Sequence, residues 1–440
     1  MDVRFWGTRG SLAKPGSTTL RYGGNTSCVE VRASDGTLIV LDCGTGAHGL
    51  GHALMAAGRP ACSGHLMISH THWDHIQGFP FFAPLFIPGN AWEIYAPGAL
   101  GRQLEQTLAG QMEYSYFPVT LAQLGATIRF HDLAEGSFTA GPVRIVTQYL
   151  NHPALTLGYR LESGGVVVVY SADHEPHAPD PAARDDAPMH AEDRRHVDFL
   201  ANADLVIHDA QYTLAEYPQK IGWGHTPAEW AVDYAIAAGA KRLALFHHDP
   251  FRDDDAVDRL VQVCRRRAGA AGSALEIFGA AENEQLHLLE SDADDRKIDA
   301  PLRPSMKAGP LTILVADDDP TIVRLLTLAL EPDGFRVVTA NDGQTALDRA
   351  RAERPALILL DWQMPGADGI EVTRALRRER DPALREVPVV LITAQSGADN
   401  TATGFTAGVT DYLTKPFRVA HVRARVQAWL LRSRAGGARA

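Results

Sequence analysis

Short apolar runs, closed at each end by polar turns, recur along this chain. His65-Leu66-Met67-Ile68-Ser69, Val143–Leu150, Val166–Ala172 and Arg242–Phe246 each have the length and continuity of a buried strand. Thr226 with Glu229 gives a capping-box pattern, and Pro227 suits a first helical position. A helix is therefore expected from Thr226 through Ala238, stopping at Gly239. Beyond residue 310 the pattern becomes a regular alternation. Apolar strands are expected at Leu311–Ala316, Phe335–Thr339, Ala356–Leu360 and Val387–Thr393, with a helix at Pro320–Leu330 and further helical stretches between. That alternation implies a parallel sheet with helices on both faces. Ser291–Gly309 is polar, rich in proline and charge, and has no apolar period, so it reads as a linker. Glu175–Arg195, rich in Pro, Asp and His, reads as an exposed excursion. Neither half contains an internal repeat.

A chain of 440 residues is too long for one ordinary core. No apolar run approaches the ~20 residues that span a bilayer. The start, Met1-Asp2-Val3-Arg4, lacks the apolar stretch of a signal peptide. A cytoplasmic protein with no membrane partner is the expectation. Cys28, Cys43, Cys62 and Cys264 are scattered without a C-x-x-C pair, which argues for buried reduced thiols rather than disulfides or a cysteine zinc site. The net charge of −11 is unevenly placed: residues 1–309 carry 25 Lys and Arg against 37 Asp and Glu, the remainder 17 against 16. Long polyanions need neutralising cations, so nucleic acid is not the expected partner of the acidic part. A small phosphate ester is easier to admit, since bound metal cations reverse the local field.

The chemistry concentrates after the strand at His65–Ser69. His70-Thr71-His72-Trp73-Asp74-His75 holds four metal-competent side chains in six positions, on a loop past a strand end. Imidazole suits zinc, and manganese or iron would also accept these ligand types.

This motif resembles the signature of the metallo-β-lactamase superfamily, and the resemblance extends over about the first 290 residues. Val3–Ser11 and Gly23-Gly24-Asn25-Thr26-Ser27 are similar to its phosphodiesterase branch, which includes ribonuclease Z and cyclic-phosphodiesterase relatives. The resemblance implies an αββα sandwich over residues 1–290 holding two metal ions, expected as Zn²⁺. It places His70, His72 and His152 on one metal, Asp74, His75 and His247 on the other, and Asp173 as the bridge. Asp74 also serves to orient or deprotonate the attacking water. The strand-then-histidine order favours His247 over its neighbour His248. Gly224-His225-Thr226 resembles the Gly-His-Ser/Thr motif of that branch, which implies that His225 meets the phosphate and protonates the leaving oxygen. The residue reading agrees, because a helix start favours an anion.

In the last third, Asp317, Asp318 and Asp361 fall at strand ends, where active residues of parallel sheets collect. With Thr393, Tyr412 and Lys415 they resemble the residue set of a response-regulator receiver domain, covering residues 310–434 and a doubly wound fold. That resemblance implies Mg²⁺ held by Asp318, Asp361 and the carbonyl of Gln363, with Asp317 assisting. Asp361 would be the phosphorylated residue, Lys415 and Thr393 would read the phosphate, and Tyr412 would respond. The implied partners are a histidine kinase or phosphotransfer protein, a small phosphodiester substrate and a second copy of the chain. A ribonuclease-Z-like nuclease and a non-catalytic scaffold are the rival readings.

The remaining candidates carry weaker expectations. His208 reads as core or as a support to the ligands, and His65, His174, His177 and His196 have no assigned role. Trp73, Phe79, Phe81 and Phe82 either stack a base or join the core. Arg9 meets a phosphate or forms a surface ion pair.

Overall fold

The computed structural model describes residues 1–57, 62–98, 104–177, 191–289, 311–393 and 407–415, with 417, 419, 422, 423, 425–427, 429 and 430. The stretch expected as a linker, 291–309, lies outside the described residues, as does most of the expected excursion. The chain divides into two compact units, Met1–His177 with Ala191–Arg303 and Pro304–Ala440.

The first unit is built on two seven-stranded sheets. One runs Gln285–His287, Asp2–Gly7, Cys28–Arg32, Leu38–Leu41, Ser63–Met67, Ala91–Pro97 and Thr127–Leu133 in spatial order. The other runs Glu276–Gly279, Arg242–Phe246, Leu205–Asp209, Val166–Ser171, Thr156–Ser163, Val143–Leu150 and Gly136–Ala140. Their inner faces meet. Phe5 and Phe246 rings lie 6.2 Å apart across the interface, and the Tyr159 hydroxyl donates to the Ile68 carbonyl at 2.7 Å. Helices cover the outer faces: Gly46–Ala56 and Leu104–Gln111 on the first sheet, Ala191–Leu200, Ala228–Ala237 and Asp254–Ala270 on the second. This is an αββα sandwich.

The strands Val143–Leu150 and Arg242–Phe246 have the bounds their apolar runs imply. The strand expected at His65–Ser69 ends at Met67 instead. Ser69 leaves the ladder because its backbone N–H and hydroxyl both turn to the Asp42 carboxylate, at 2.6 and 2.8 Å. The expected capping box also fails. The helix begins at Ala228 with Pro227 as its cap residue, and no side chain caps it. The Thr226 hydroxyl donates instead to the His174 carbonyl, and Glu229 accepts the N–H of Leu214 at 3.0 Å.

The second unit has a five-stranded parallel sheet in the order Arg336–Ala340, Thr312–Ala316, Leu357–Asp361, Val389–Thr393, Asp411–Thr414. Helices Pro320–Leu330, Gly343–Glu353 and Gly369–Arg377 connect the strands. The order doubles back around Thr312–Ala316, so the crevice at its carboxyl end is where ligands bind in such sheets. Asp317 follows this strand and Asp361 ends the next one.

Candidate metal centre and phosphoacceptor site

Every candidate ligand leaves a strand end or the loop behind one. His70, His72, Asp74 and His75 follow Ser63–Met67, His152 follows Val143–Leu150, Asp173 follows Val166–Ser171, and His247 follows Arg242–Phe246. The sandwich brings these ends together. Ligand atoms of His70, His72, His152 and Asp173 lie within 4.8 Å of one another, as do those of Asp74, His75, Asp173 and His247. Asp173 belongs to both groups. His248 does not: it turns away, and its Nε2 donates to the Ala280 carbonyl at 2.9 Å.

The hydrogen bonds decide which ring nitrogens can bind a cation. His152 Nδ1 donates to the Gly224 carbonyl at 2.9 Å, so its inward Nε2 keeps a lone pair. His75 Nδ1 pairs with Asp42 at 2.7 Å and His247 Nδ1 with the Gln211 amide oxygen at 2.9 Å, with the same result. Such outer partners fix the tautomer and the orientation of a ligating imidazole. Two inward pairs then approach closely: His152 Nε2 to His72 Nδ1 at 3.1 Å, and His75 Nε2 to His247 Nε2 at 3.3 Å. Two nitrogens on a tetrahedral zinc, each at about 2.0–2.1 Å, would be separated by about 3.3 Å. Asp173 Oδ1 faces His75 Nε2 and His247 Nε2, each at 3.2 Å, and His70 Nε2 is buried with no hydrogen-bond partner. Buried polar atoms are rarely left so unless an ion or water completes them. The residues fit a dinuclear metal centre.

Electrostatics agree with that chemistry at His70, His152, Asp173 and Asp74. At His75 burial is outweighed by Asp173, Asp74 and Asp42, which raise its pKa well above the usual imidazole range, and cations in the centre would oppose that charge. Burial holds His70 and His152 well below the usual imidazole range, in the neutral form a metal requires. Burial alone would raise Asp173 and Asp74. Neighbouring imidazoles outweigh it and hold both well below the usual carboxylate range.

His225 stands at the edge of this cluster. Its ring stacks on His247 at 4.9 Å and meets His152 edge-on at 5.4 Å. Its Nδ1 faces the Asp209 carboxylate at 3.0 Å, and Asp209 also accepts the N–H of Thr226. Burial disfavours the charged ring, but Asp209, Asp173 and Asp74 outweigh it and push the pKa up to about 9. Cations in the centre would pull it back down. A carboxylate, rather than a helix cap, thus sets this imidazole.

Several supporting residues were not singled out in the sequence. Asp42 collects Ser69, His75 and the Tyr170 hydroxyl. Ser11 donates its N–H to Asp74 at 2.7 Å. Glu175, buried, accepts the N–H groups of Gly222 and Gly224 at 2.6 and 2.8 Å and holds the loop before His225. Asp42 and Asp209 each close an apolar strand, as Asp173 and Asp361 do. That position was the available signal; Glu175 had none.

His174, His177 and Asp193 also gather ligand atoms within 4.8 Å. His174 Nδ1, however, accepts the N–H of Asn151 at 3.2 Å, so in the neutral ring the proton sits on Nε2. That ring offers no lone pair to a cation. His208 donates to the Asp209 carbonyl at 2.7 Å and meets His196 Nε2 to Nε2 at 2.9 Å, a buried chain of neutral imidazoles. The core reading of His208 fits this position.

Other expectations need correction. Arg9 is fully buried and donates to the carbonyls of Gly23, Asp249 and Arg252, so it is neither a surface pair nor open to a phosphate. Phe79 and Phe82 are core, whereas Trp73 and Phe81 are exposed. Cys62 is half-buried, unlike the other three cysteines. Among the described residues, no helix is long and apolar enough to cross a membrane.

In the second unit, ligand atoms of Asp317, Asp318 and Asp361 lie within 4.8 Å. Three clustered carboxylates with an exposed member suit Mg²⁺, which keeps several waters. Lys415 Nζ reaches Asp361 at 2.6 Å and Asp317 at 2.8 Å. Burial and the nearby Asp361 raise the Asp317 pKa against the pull of Lys415. Gln363 turns its backbone N–H to Asp361 at 2.9 Å. Thr393 is buried at the end of its strand, and its carbonyl accepts the N–H of Lys415 at 2.7 Å. Tyr412 lies in the edge strand; its side chain is outside what is described. Asp319, third of the acidic triplet, caps the helix at Thr321.

Comparison with known proteins follows this division. Residues 37–248 match the family model "Beta-lactamase superfamily domain", and residues 313–427 match "Response regulator receiver domain". The alkaline phosphatase synthesis transcriptional regulatory protein PhoP of Bacillus subtilis is 44% identical over 121 residues, 28% of this chain and 49% of that protein. The chain spans about half the length of the curated relatives it matches. A crystal structure of a putative response regulator from Chloroflexus aurantiacus is 34% identical, covering 28% of this chain and 98% of its own, with a TM-score of 0.26. The metallo-β-lactamase fold protein YhfI of Bacillus subtilis is 21% identical, covering 65% of this chain and 98% of its own, with a TM-score of 0.46.

Proposed function

Because this chain belongs to two families at once, a β-lactamase-superfamily domain joined to a response-regulator receiver domain, we propose that it is a signalling hydrolase. Its first domain cleaves a small phosphodiester at a dinuclear metal centre, and phosphorylation of Asp361 by a histidine kinase or phosphotransfer protein regulates it. The observation that carries the substrate class is His225 beside the metal ligands with Asp209 behind it.

Two divalent cations held by His70, His72, His152, Asp74, His75, His247 and the shared Asp173 would neutralise phosphate charge and make water a nucleophile near neutral pH. The chain supplies the rest. Asp74, fixed by the Ser11 N–H, orients the water. His225 donates Nδ1–H to Asp209, which leaves Nε2 to face the reacting phosphate. Protonated, that nitrogen gives its proton to the departing oxygen, the step that separates a diester from its two products. Asp209 stabilises the charged ring and keeps it in position.

A nuclease acting on long RNA is the rival reading. The excess of 37 acidic over 25 basic residues in positions 1–309 counts against it, because phosphate-backbone binding depends on cations. The test is a panel of cyclic nucleotides, linear dinucleotides and precursor tRNA, assayed with the wild type and His225→Ala. The variant should keep its metals and lose about 10²- to 10⁴-fold in turnover on a small diester. Equal rates for the two proteins on every diester would remove His225 from the chemistry. Preference for precursor tRNA over all small diesters would favour the nuclease.

A further inference from the structure

We propose that Glu175 is a positioning residue for leaving-group protonation: its one carboxylate sets the candidate ligand His152 and the proton donor His225 in register with each other. This rests on the phosphodiesterase reading above. Glu175 stands two residues beyond Asp173, on the segment that leaves the strand Val166–Ser171, and is 2% exposed. Its backbone is tied to the end of a second strand. The Glu175 N–H donates to the Asn151 carbonyl at 2.7 Å, and the Asn151 side-chain amide donates back to the Glu175 carbonyl at 2.8 Å. His152 is the next residue after Asn151. The Glu175 side chain reaches a third segment. Oε1 accepts the N–H of Gly222 at 2.6 Å and the Tyr217 hydroxyl at 2.9 Å, and Oε2 accepts the N–H of Gly224 at 2.8 Å.

Gly224 is where the two histidines are joined. Its N–H ends on Glu175, its carbonyl accepts from His152 Nδ1 at 2.9 Å, and its peptide bond leads into His225. The rings of His152 and His225 lie 5.4 Å apart. Gly222 and Gly224 have φ of +81° and +89°, in the region that glycine alone enters freely. A turn made of two such residues has other conformations to visit, and Glu175 holds both of its N–H groups.

A carboxylate suits this place as no other side chain does. Among the described residues, no Lys or Arg pairs with Glu175, so these three donors offset the burial of its charge. An ionised carboxylate only accepts, at both oxygens, whereas an amide carries N–H at one end. Glu175→Gln keeps the size of the side chain, yet whichever way the amide turns, one glycine N–H faces another donor. The turn then shifts, and His225 with it. A leaving oxygen that needs a proton feels that shift, and one that departs as a stable anion does not.

The test is the kcat of the full chain, saturated with metal, on two diesters. The dinucleotide ApA must release a ribose oxygen, a poor leaving group; bis(4-nitrophenyl) phosphate releases 4-nitrophenolate, which needs no proton. Glu175→Gln should lose about 10²-fold on ApA and less than about threefold on the nitrophenyl ester, with KM nearly unchanged on both. Glu175→Asp, which keeps both acceptors on a shorter arm, should recover part of the loss, and it reads the same selectivity if Glu175→Gln does not fold. Isotope-labelled histidine gives a second readout without turnover: the imidazole N–H signals of His152 and His225 should move or vanish in Glu175→Gln. Unchanged signals overturn the positioning role, and so does an equal loss on both diesters or no loss on either. His225→Ala is the reference for a missing acid. A selective loss in His225→Ala without one in Glu175→Gln defeats the Glu175 inference alone. If His225→Ala shows no selective loss, the reading of His225 as the proton donor fails, and the role of Glu175 fails with it.

Discussion

Asp42 has φ of +59°, a backbone conformation that L-residues with a Cβ rarely adopt, and its side chain is completely buried. The strain places its carboxylate where three elements meet: Oδ1 takes the Ser69 N–H, and Oδ2 takes the Ser69 hydroxyl, His75 Nδ1 and the Tyr170 hydroxyl. The last of these ties the two sheets together beside the candidate ligand His75. His247 has the same unusual backbone, φ +59°. Residues held in such conformations collect at functional sites because the surroundings over-determine them. Asp42→Asn keeps the size of the side chain but removes the charge that orients His75. Metal affinity should fall about 10- to 100-fold, as for other partners of ligating histidines. Competition with a chelator measures this, and unchanged affinity would show that His75 needs no such support. Asp173→Ala should lose both metals and activity together, since the bridge serves both ligand groups. Elemental analysis of the purified variant checks it; retention of two ions per chain would refute the bridge.

At the level of elements, the apolar strands were legible, two of them to the residue, whereas the strand expected at His65–Ser69 ended early and the joining loops were not legible. An apolar run announces itself by composition, so Val143–Leu150 and Arg242–Phe246 could be bounded to the residue. Polar residues just beyond such runs could be nominated as ligands, and the sandwich brings those of the metal motif together with His152, Asp173 and His247. The helix start at Thr226 failed for a physical reason. Its capping pattern is local, whereas the Asp209 carboxylate that takes the Thr226 N–H comes from a strand seventeen residues earlier. Glu175 was invisible for the same reason. Sequence shows propensity, and it does not show which distant carboxylate will reach a loop. That loop makes its own prediction. Gly224 has φ of +89°, and a Cβ there would come within 2.2 Å of His152 Nδ1, whose hydrogen bond ends on the Gly224 carbonyl. Gly224→Ala must displace His152 or the loop that carries His225. Misplacement by about 1 Å can lower a rate about 10²-fold, and turnover should fall by that order while the circular dichroism of the fold persists. Turnover within twofold of wild type would mean the loop can yield without moving either histidine. In the second unit, Asp319→Ala removes the cap of Pro320–Leu330 and should cost about 1 kcal/mol of stability by denaturant titration. It should leave phosphorylation intact, because Asp319 is a cap and not part of the cluster Asp317, Asp318 and Asp361.

At the scale of the whole molecule, two sets of candidate site residues are carried on one chain, and the receiver set has chemistry of its own. Lys415 bridges Asp361 and Asp317. A phosphoryl group on Asp361 replaces the single carboxylate charge with a group carrying about −1.5 to −2 and brings three acceptor oxygens to that point. The contact between Lys415 and the carboxylates must then rearrange, and Lys415 sits at the start of the segment after the last strand. Thr393, whose carbonyl holds the N–H of Lys415, is drawn into the same change. The new charge is local, so it alters a distant rate only by biasing two arrangements of the receiver surface. A differential contact of about 1–3 kcal/mol between those arrangements couples to a change of about 5- to 150-fold in affinity or in the active population. Phosphorylation of Asp361 should therefore change phosphodiester cleavage by the first domain, its substrate affinity or its assembly with a second copy. The decisive comparison is wild type with and without a small phosphoryl donor, beside Asp361→Ala and Lys415→Ala. Asp361→Ala should be indifferent to the donor, and Lys415→Ala should accept the phosphoryl group yet transmit less of its effect. If wild type is phosphorylated to completion and rate, affinity and assembly all stay where they were, the receiver does not govern this hydrolase, and the scaffold reading takes its place.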